Sequence, residues 1–274
     1  MQKNSDLDRL LRSFLPKFLL PSSTTIFDPS FIPRIALFGP GIESPSTKHL
    51  VHKTVNSHTS VFDAQGFVSG LPGGFGSGVR IDFRKTFIFD LICLYTNSSR
   101  VREYQRGVTR LLAGNNRMLV NDFNSDAEVV LHENVLKLLP TMNVLAFAVD
   151  GSELKQMTSE KSEDLHENIE YLRSELRIMR DAIKDDIQYR HIPILVLFCL
   201  SETDNSDRKI QFDLSKFAKE LLLSNETERA WAIFEVNIGN MDGMAKAMDW
   251  VLYHVQKRRN ALEYHKAQSS SGYV

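Results

Sequence analysis

Gly39, Gly41, Ser44, Pro45 and Ser46 stand where a phosphate-binding loop would do its chemistry. They belong to PRIALFGPGIESPSTK, Pro33 to Lys48, in which an apolar run (Arg34-Ile35-Ala36-Leu37-Phe38) is closed by Gly39-Pro40-Gly41 and followed by Ser44-Pro45. A short apolar run closed by glycine reads as a buried strand. Ser44 offers an N-cap oxygen, and Pro45 fits the first helical position, where no backbone N–H is needed. Strand, glycine turn and helix start form the layout in which backbone N–H groups surround an anion. A working loop of this kind reads G-x-x-x-x-G-K-[ST]. Counted from Gly39, the chain has Ser44, Pro45 and Ser46 where Gly, Lys and Ser/Thr belong, and Lys48 comes three residues too late. Pro45 has no ammonium for the β- and γ-phosphates. The loop therefore reads as structural, and nucleotide is not expected in it.

Other reactive residue types fall into blander patterns. His49 and His52 stand one helical turn apart, but no Cys, third His or carboxylate cluster joins them at metal spacing; a solvated helix face is expected, with no metal and no cofactor. Gly66, Gly70, Gly73, Gly74, Gly76 and Gly78 crowd the stretch GFVSGLPGGFGSG. A dinucleotide fingerprint follows a strand and opens a helix, whereas this stretch leads into a strand. A kinase glycine loop also precedes a strand, but no H-R-D or D-F-G follows. A flexible loop is expected. Cys93 and Cys199, the two cysteines, lie inside apolar runs and read as buried, reduced thiols.

Composition narrows the classes. The 274 residues suit one large domain or two small ones, and 42% hydrophobic with 24% charged content is ordinary for a soluble globular protein. A formal net charge of -1 argues against nucleic-acid or membrane partners, which call for an excess of Lys and Arg. No apolar stretch reaches the length of a membrane span, and no signal-like core precedes a small-residue cleavage site. A cytoplasmic protein, able also to be nuclear, is expected.

The elements that must position these residues emerge from periodicity. Leu7, Leu10, Leu11, Phe14, Leu15, Phe18 and Leu19 recur at helical spacing, so residues 1–30 read as an amphipathic helix over 6–20 and a connector, the helix docking on the domain after it. A helix is expected over 45–56. Val79, Ile81 and Phe83 alternate with Arg80, Asp82 and Arg84, the period of a half-exposed strand, joined by a tight turn to the buried strand FIFDLICLY, where Asp90 needs a partner. Two helical patterns fall within 97–142, the second over 126–139. NVLAFAV (143–149) and PILVLFCL (193–200) read as buried strands. Leu165, Ile169, Leu172, Leu176, Met179 and Ile183 mark the clearest helix. A helix over 213–224 behind Asp213, the strand AIFEVNIG and a last helix from Met244 to Arg259 complete the domain at 31–262, with a polar tail at 263–274.

Buried strands alternating with amphipathic helices predict an α/β fold, a mainly parallel sheet with helices on both faces and strand 79–84 as one antiparallel edge. That arrangement resembles the Ras-like P-loop NTPase fold of the small GTPases, with SEDLHENIEYLRSELRIMRDAI and IPILVLF similar to its third helix and fifth strand. The resemblance implies where that family's other chemical residues belong. Its D-x-x-G falls near Leu94 to Ser98, which reads Leu-Tyr-Thr-Asn-Ser; its [NT]-K-x-D falls at Ser201-Glu202-Thr203-Asp204, with only Asp204 kept; its S-A-K loop is Asn237-Ile238-Gly239. Phosphoryl transfer depends on positioning and charge neutralisation, so the resemblance implies a pseudo-GTPase and no enzyme.

PRIALFGPGIE, GFGSGVRIDF and WVLYHVQKRR resemble, more closely still, the C-terminal small-GTPase-like domain of the F-box only protein 4 family. Proteins of that family recruit substrates to an SCF-type ubiquitin ligase, so the resemblance implies a protein substrate as partner. The single helix expected over 6–20 is too little for an F-box, so the chain as it stands is not expected to bind the Skp adaptor. The contact expected for a partner is the edge formed by Gly76, Gly78, Val79, Arg80, Ile81, Asp82 and Phe83, to which an extended segment could add. The alternative is a divergent nucleotide-binding small GTPase acting as a switch, for which Asp204 speaks.

Overall fold

Apolar runs that are buried on both faces set the middle of the fold. The structure, a computed structural model, describes residues 31–42, 44, 50–55, 61–72, 78–94, 118–121, 129–160, 162–184, 191–201 and 212–271. The chain divides into two compact units, Met1–Phe31 and Ile32–Val274; the helix expected over 6–20 lies outside the described residues.

Among the described residues of the second unit the strands are β1 (Arg34–Phe38), β2 (Phe62–Val68), β3 (Gly78–Phe83), β4 (Phe87–Cys93), β5 (Leu119–Asn121), β6 (Val129–Leu131), β7 (Val144–Asp150), β8 (Ile194–Leu200) and β9 (Trp231–Asn237). Seven of them form one sheet in the order β2-β3-β4-β1-β7-β8-β9, and β5 and β6 pair separately. The run β4-β1-β7-β8-β9 is parallel, and β3 is antiparallel to both β2 and β4. The mainly parallel α/β sheet is thus as the sequence predicts, with one correction that matters for function. Strand 79–84 is not an edge: β3 lies between β2 and β4, and the edge is β2. Residues 62–68 escape notice because Gly66 interrupts the alternation and belongs to a glycine-rich stretch. In the structure Gly66 has φ +147° and sits where the β2–β3 register shifts between Ala64 and Gly66, a bulge that accepts one extra residue.

Among the described residues the helices are α1 (Leu50–Val55), α2 (Glu133–Leu138), α3 (Gly151–Glu160), α4 (Ser162–Asp181), α5 (Leu214–Glu220) and α6 (Met244–Ser271). On one sheet face Ala36, Phe38, Leu145, Phe147, Val149, Ile194, Val196 and Phe198 share a buried cluster with Leu172, Leu176 and Met179 of α4. On the other, Met244, Ala247, Met248, Val251 and Val255 form the buried stripe of α6, whose Trp250 packs edge-on against Phe234 of β9. Two further expectations change. Residues 129–131, read as part of a helix over 126–139, are strand β6, and the helix is only Glu133–Leu138. The last helix does not give way to a polar tail at 263 but continues to Ser271. Asp213 caps α5 as expected, its carboxylate accepting from the N–H groups of Ser215 and Lys216.

His254 on α6 lies between the rings of Trp250, 4.4 Å between centroids, and Tyr253. Burial first, and the charge of Lys257 second, push its imidazole down from 6.5 to about 4. The folded chain then holds a neutral imidazole where the unfolded chain takes up a proton. Stability from this group is complete above about pH 6.5 and falls as pH drops towards 4, by on the order of 1 kcal/mol once solvent screening of a half-buried ring is allowed for. Urea unfolding at pH 7 and pH 5 should show a smaller acid loss for His254→Phe than for the parent chain; equal losses would refute the assignment.

Candidate functional site

The carboxyl ends of the parallel strands are where an α/β sheet usually presents its ligand site. β1 ends at Phe38, and Gly39 turns the chain with φ +102° into a tight 3-10 turn, Pro40–Ile42. A Cβ on Gly39 would stand 2.5 Å from the Ala148 carbonyl oxygen, and one on Gly41 2.5 Å from the Val149 nitrogen. No side chain fits at either place, so these glycines bring the turn onto the backbone of β7. Ile42 is buried beside them.

The helix start expected at Pro45, behind Ser44, lies outside the described residues. The Ser44 backbone N–H donates to the Pro40 carbonyl at 2.9 Å, and its hydroxyl donates to Asp150 Oδ2. Asp150, the buried last residue of β7, also accepts from the Glu153 N–H at 3.0 Å through Oδ1, and so caps α3. Next to it the Ser152 hydroxyl accepts from the Ser201 N–H at 2.7 Å, which ties α3 to the end of β8. Asn237 closes the end of β9, its side chain accepting from the Gly239 N–H. The loop thus faces a carboxylate at the place where a phosphate-binding loop offers donors to an anion. Cys199 pairs with Asp150 across the sheet, and burial, then the Asp150 charge, pushes its thiol up, as suits an inert core cysteine.

Gly39, Gly41 and Ser44 are therefore brought together with Asp150, a residue that sequence reasoning did not single out because it ends an apolar run like any strand-terminal polar residue. Pro45, Ser46, Asp204 and Gly76, with His49 and Lys48, lie outside the described residues. Among the described residues no group of three or more His, Cys, Asp or Glu side chains could hold a metal ion, and no helix is long and apolar enough to cross a membrane.

The other predicted residues lie in the outer hairpin. Asp90 is buried on β4 and held by Arg80, whose Nε and Nη2 donate to its two oxygens at 2.8 and 3.2 Å, with Arg34 Nε at 3.9 Å. The hydrogen bond to Asp90 raises Arg80 above its ordinary value. Arg80, itself partly exposed, thus supplies the main counter-charge of a buried carboxylate, with Arg34 beyond it. The strand residues expected as an open edge, Gly78 to Phe83, are covered on that side by β2, and Ile81 and Phe83 are core. β2 itself has five successive exposed positions, Asp63 to Phe67, and Phe67 is 90% exposed.

No protein-family model matches the chain. It is similar to F-box only protein 4 of Bos taurus, 25% identical over 227 residues that make up 82% of this chain and 54% of that protein. It is likewise similar to F-box only protein 4 of Homo sapiens, 23% identical over 83% of this chain and 54% of that protein, and of Mus musculus, 24% identical over 83% and 54%. The chain spans about half the length of these curated relatives.

Substitution at the turn should report how closely it lies on β7. Gly41→Ala should lower the unfolding free energy by about 1–3 kcal/mol, because the backbone of Ala148 and Val149 cannot retreat. Ser44→Ala should cost about 1–2 kcal/mol through the donor lost to buried Asp150. Both are read by urea denaturation, and a neutral Gly41→Ala would mean that the turn stands clear of the strand.

Proposed function

We propose that the chain is a protein-interaction domain that works without nucleotide, a pseudo-GTPase on a small-GTPase-like fold, serving substrate recognition for an SCF-type ubiquitin ligase. Three features support the fold reading. Without β2, the sheet order β3-β4-β1-β7-β8-β9 with β3 alone antiparallel is the small-GTPase arrangement; a glycine turn comes after β1; and the two segments resembling that family's third helix and fifth strand fall on α4 and β8. The observation that carries the loss of nucleotide is the Ser44 hydroxyl donated to Asp150. A triphosphate brought to this loop would meet a carboxylate, with proline at the position of the lysine that neutralises it. The ligase role rests on the similarity to F-box only protein 4. A titration of fluorescent GDP and GTP with Mg²⁺ should show no saturable binding at micromolar protein. Asp150→Asn should not restore it, since the ammonium is still missing, and a submicromolar constant for the parent chain would overturn the reading.

For the partner, the open edge is β2 rather than β3. Edge strands are usually blunted, and β2 has a bulge and Asp63 to that end, but a nearly fully exposed Phe67 works against it. The Arg84 N–H donates to the Val61 carbonyl at 2.8 Å. Alternation along an antiparallel pair then turns the N–H groups of Val61 and Asp63 towards β3 and those of Phe62 and Ala64 outwards. An extended segment of a protein substrate would add at these outward groups. Ala64→Pro should therefore abolish cross-linking of substrate to a photoreactive residue at position 67 while the melting temperature holds. Asp63→Pro should break the β2–β3 ladder and lower it. Cross-linking that survives Ala64→Pro would put the contact elsewhere.

A further inference from the structure

The bulge in β2 sets a pattern that a pairing segment would have to match. β2 meets β3 at Asp63↔Asp82 and Ala64↔Ile81, shifts register at Gln65, and resumes at Gly66↔Arg80 and Phe67↔Val79. On β3, Val79 and Asp82 are three residues apart and point to opposite faces. Residues of one row keep one face, so Asp63 goes with Asp82, and Phe67 with Val79 on the other face. Asp63 and Phe67 are four residues apart and would share a face in a regular strand; the extra residue at the bulge separates them.

The two rows differ in chemistry. In the first, two carboxylates stand directly opposite each other, an arrangement that repels. Asp63 Oδ2 accepts from the neutral Gln65 Nε2 at 3.1 Å, and Asp82 Oδ1 has no hydrogen-bond partner among the described residues. The neighbouring guanidiniums are committed, Arg80 to Asp90 and Arg84 to Asp249, each at 2.8 Å. The row continues into Ile88, 40% exposed, so its two ends, Asp63 and Ile88, are open while Asp82 between them is half-buried with Oδ1 turned inward. In the second row the 90% exposed Phe67 adjoins half-buried Val79 and buried Leu91.

We propose that the β2 edge selects an extended protein segment carrying a Lys or Arg and a bulky apolar residue three positions apart, the basic side chain lying over Asp63 and Asp82 and the apolar one against Phe67. This rests on the reading of β2 as a strand-addition edge. A segment without a bulge of its own keeps to the rows of β3, so its two anchors are three apart and fall on opposite faces. Their order along the segment depends on whether it runs antiparallel or parallel to β2. The basic group removes the repulsion between the paired carboxylates, and charge complementarity thereby excludes acidic segments that have the same apolar anchor.

The test is fluorescence anisotropy with the full chain and labelled threonine- and valine-based peptides. Two carry leucine and lysine three apart in either order; the comparators have glutamate for lysine, or leucine and lysine four apart. One lysine peptide with the three-residue spacing should bind about tenfold more tightly than both comparators, a difference of about 1.4 kcal/mol. Asp63→Asn should shrink the preference over glutamate to about threefold or less, and Ala64→Pro should abolish binding of every peptide. If lysine and glutamate peptides bind equally while Ala64→Pro abolishes both, the charge selection is wrong and strand addition stands. If no peptide binds, or binding ignores Ala64→Pro, strand addition fails and the selection with it. If the chain is a dimer that Ala64→Pro converts to a monomer, a second copy occupies the edge and the proposal is overturned.

Discussion

The close approach of one glycine turn to one strand backbone is the constraint on which the rest of the sheet depends. Parallel neighbours have no hairpin to fix their ends, so β1 and β7 must be held in place by contacts made just past their carboxyl ends. Here the turn after β1 lies against Ala148 and Val149 with no space for a Cβ at Gly39 or Gly41. Ser44 then reaches Asp150, and Asp150 in turn holds the first turn of α3. Through the Ser152 hydroxyl the same corner takes in the end of β8. A carboxylate is a good centre for such a corner because it is acceptor-only and can take bonds on both oxygens. It is also a poor neighbour for phosphate. The same contacts that stabilise the corner therefore keep a carboxylate beside the turn.

The central strands were legible because burial on both faces leaves an unbroken apolar run, as in FIFDLIC, VLAFAVD and ILVLFCL, which turn residues bracket. The departures have separate physical causes. β2 reads as FDAQGFV, in which the bulge at Gln65, next to Gly66, spoils the alternation, and five exposed positions leave no apolar stripe to find. β5 and β6 have three residues each, too few to show any period. The end of α6 past Arg259 has no apolar periodicity, yet its polar residues Gln268 and Lys266 are no obstacle to a helix already nucleated by the buried stripe before them. Of the site, the missing lysine at Pro45 could be read directly by counting. The role of Asp150 could not, because what distinguishes it is a contact with Ser44 across 106 positions of chain.

Asp90 shows how a sequence anomaly and its resolution can lie on different strands. Its place inside an apolar run demanded a partner, and the partner is Arg80, directly opposite on β3. That pairing takes Arg80 out of the set of residues available to anything outside the sheet. It also leaves Asp82, two residues along on the same face, beside a guanidinium that is already engaged. The negative character of the Asp63–Asp82 row is thus a consequence of the burial of Asp90.

The two edges of the sheet are not equivalent, and the difference bears on which one a partner can use. β9, the far edge, has a single exposed position, Glu235, and that carboxylate pairs with Lys155 of α3 at 3.3 Å. On the opposite face Phe234 packs against Trp250 of α6. A strand approaching β9 would have to displace side chains from helices on both faces, at the cost of buried apolar area. Among the described residues none covers the exposed positions Asp63 to Phe67 of β2, and its bulge twists the strand without shielding it. Of the sheet's two edges, β2 is, among the described residues, the one where backbone pairing would begin at exposed positions rather than beneath helix side chains.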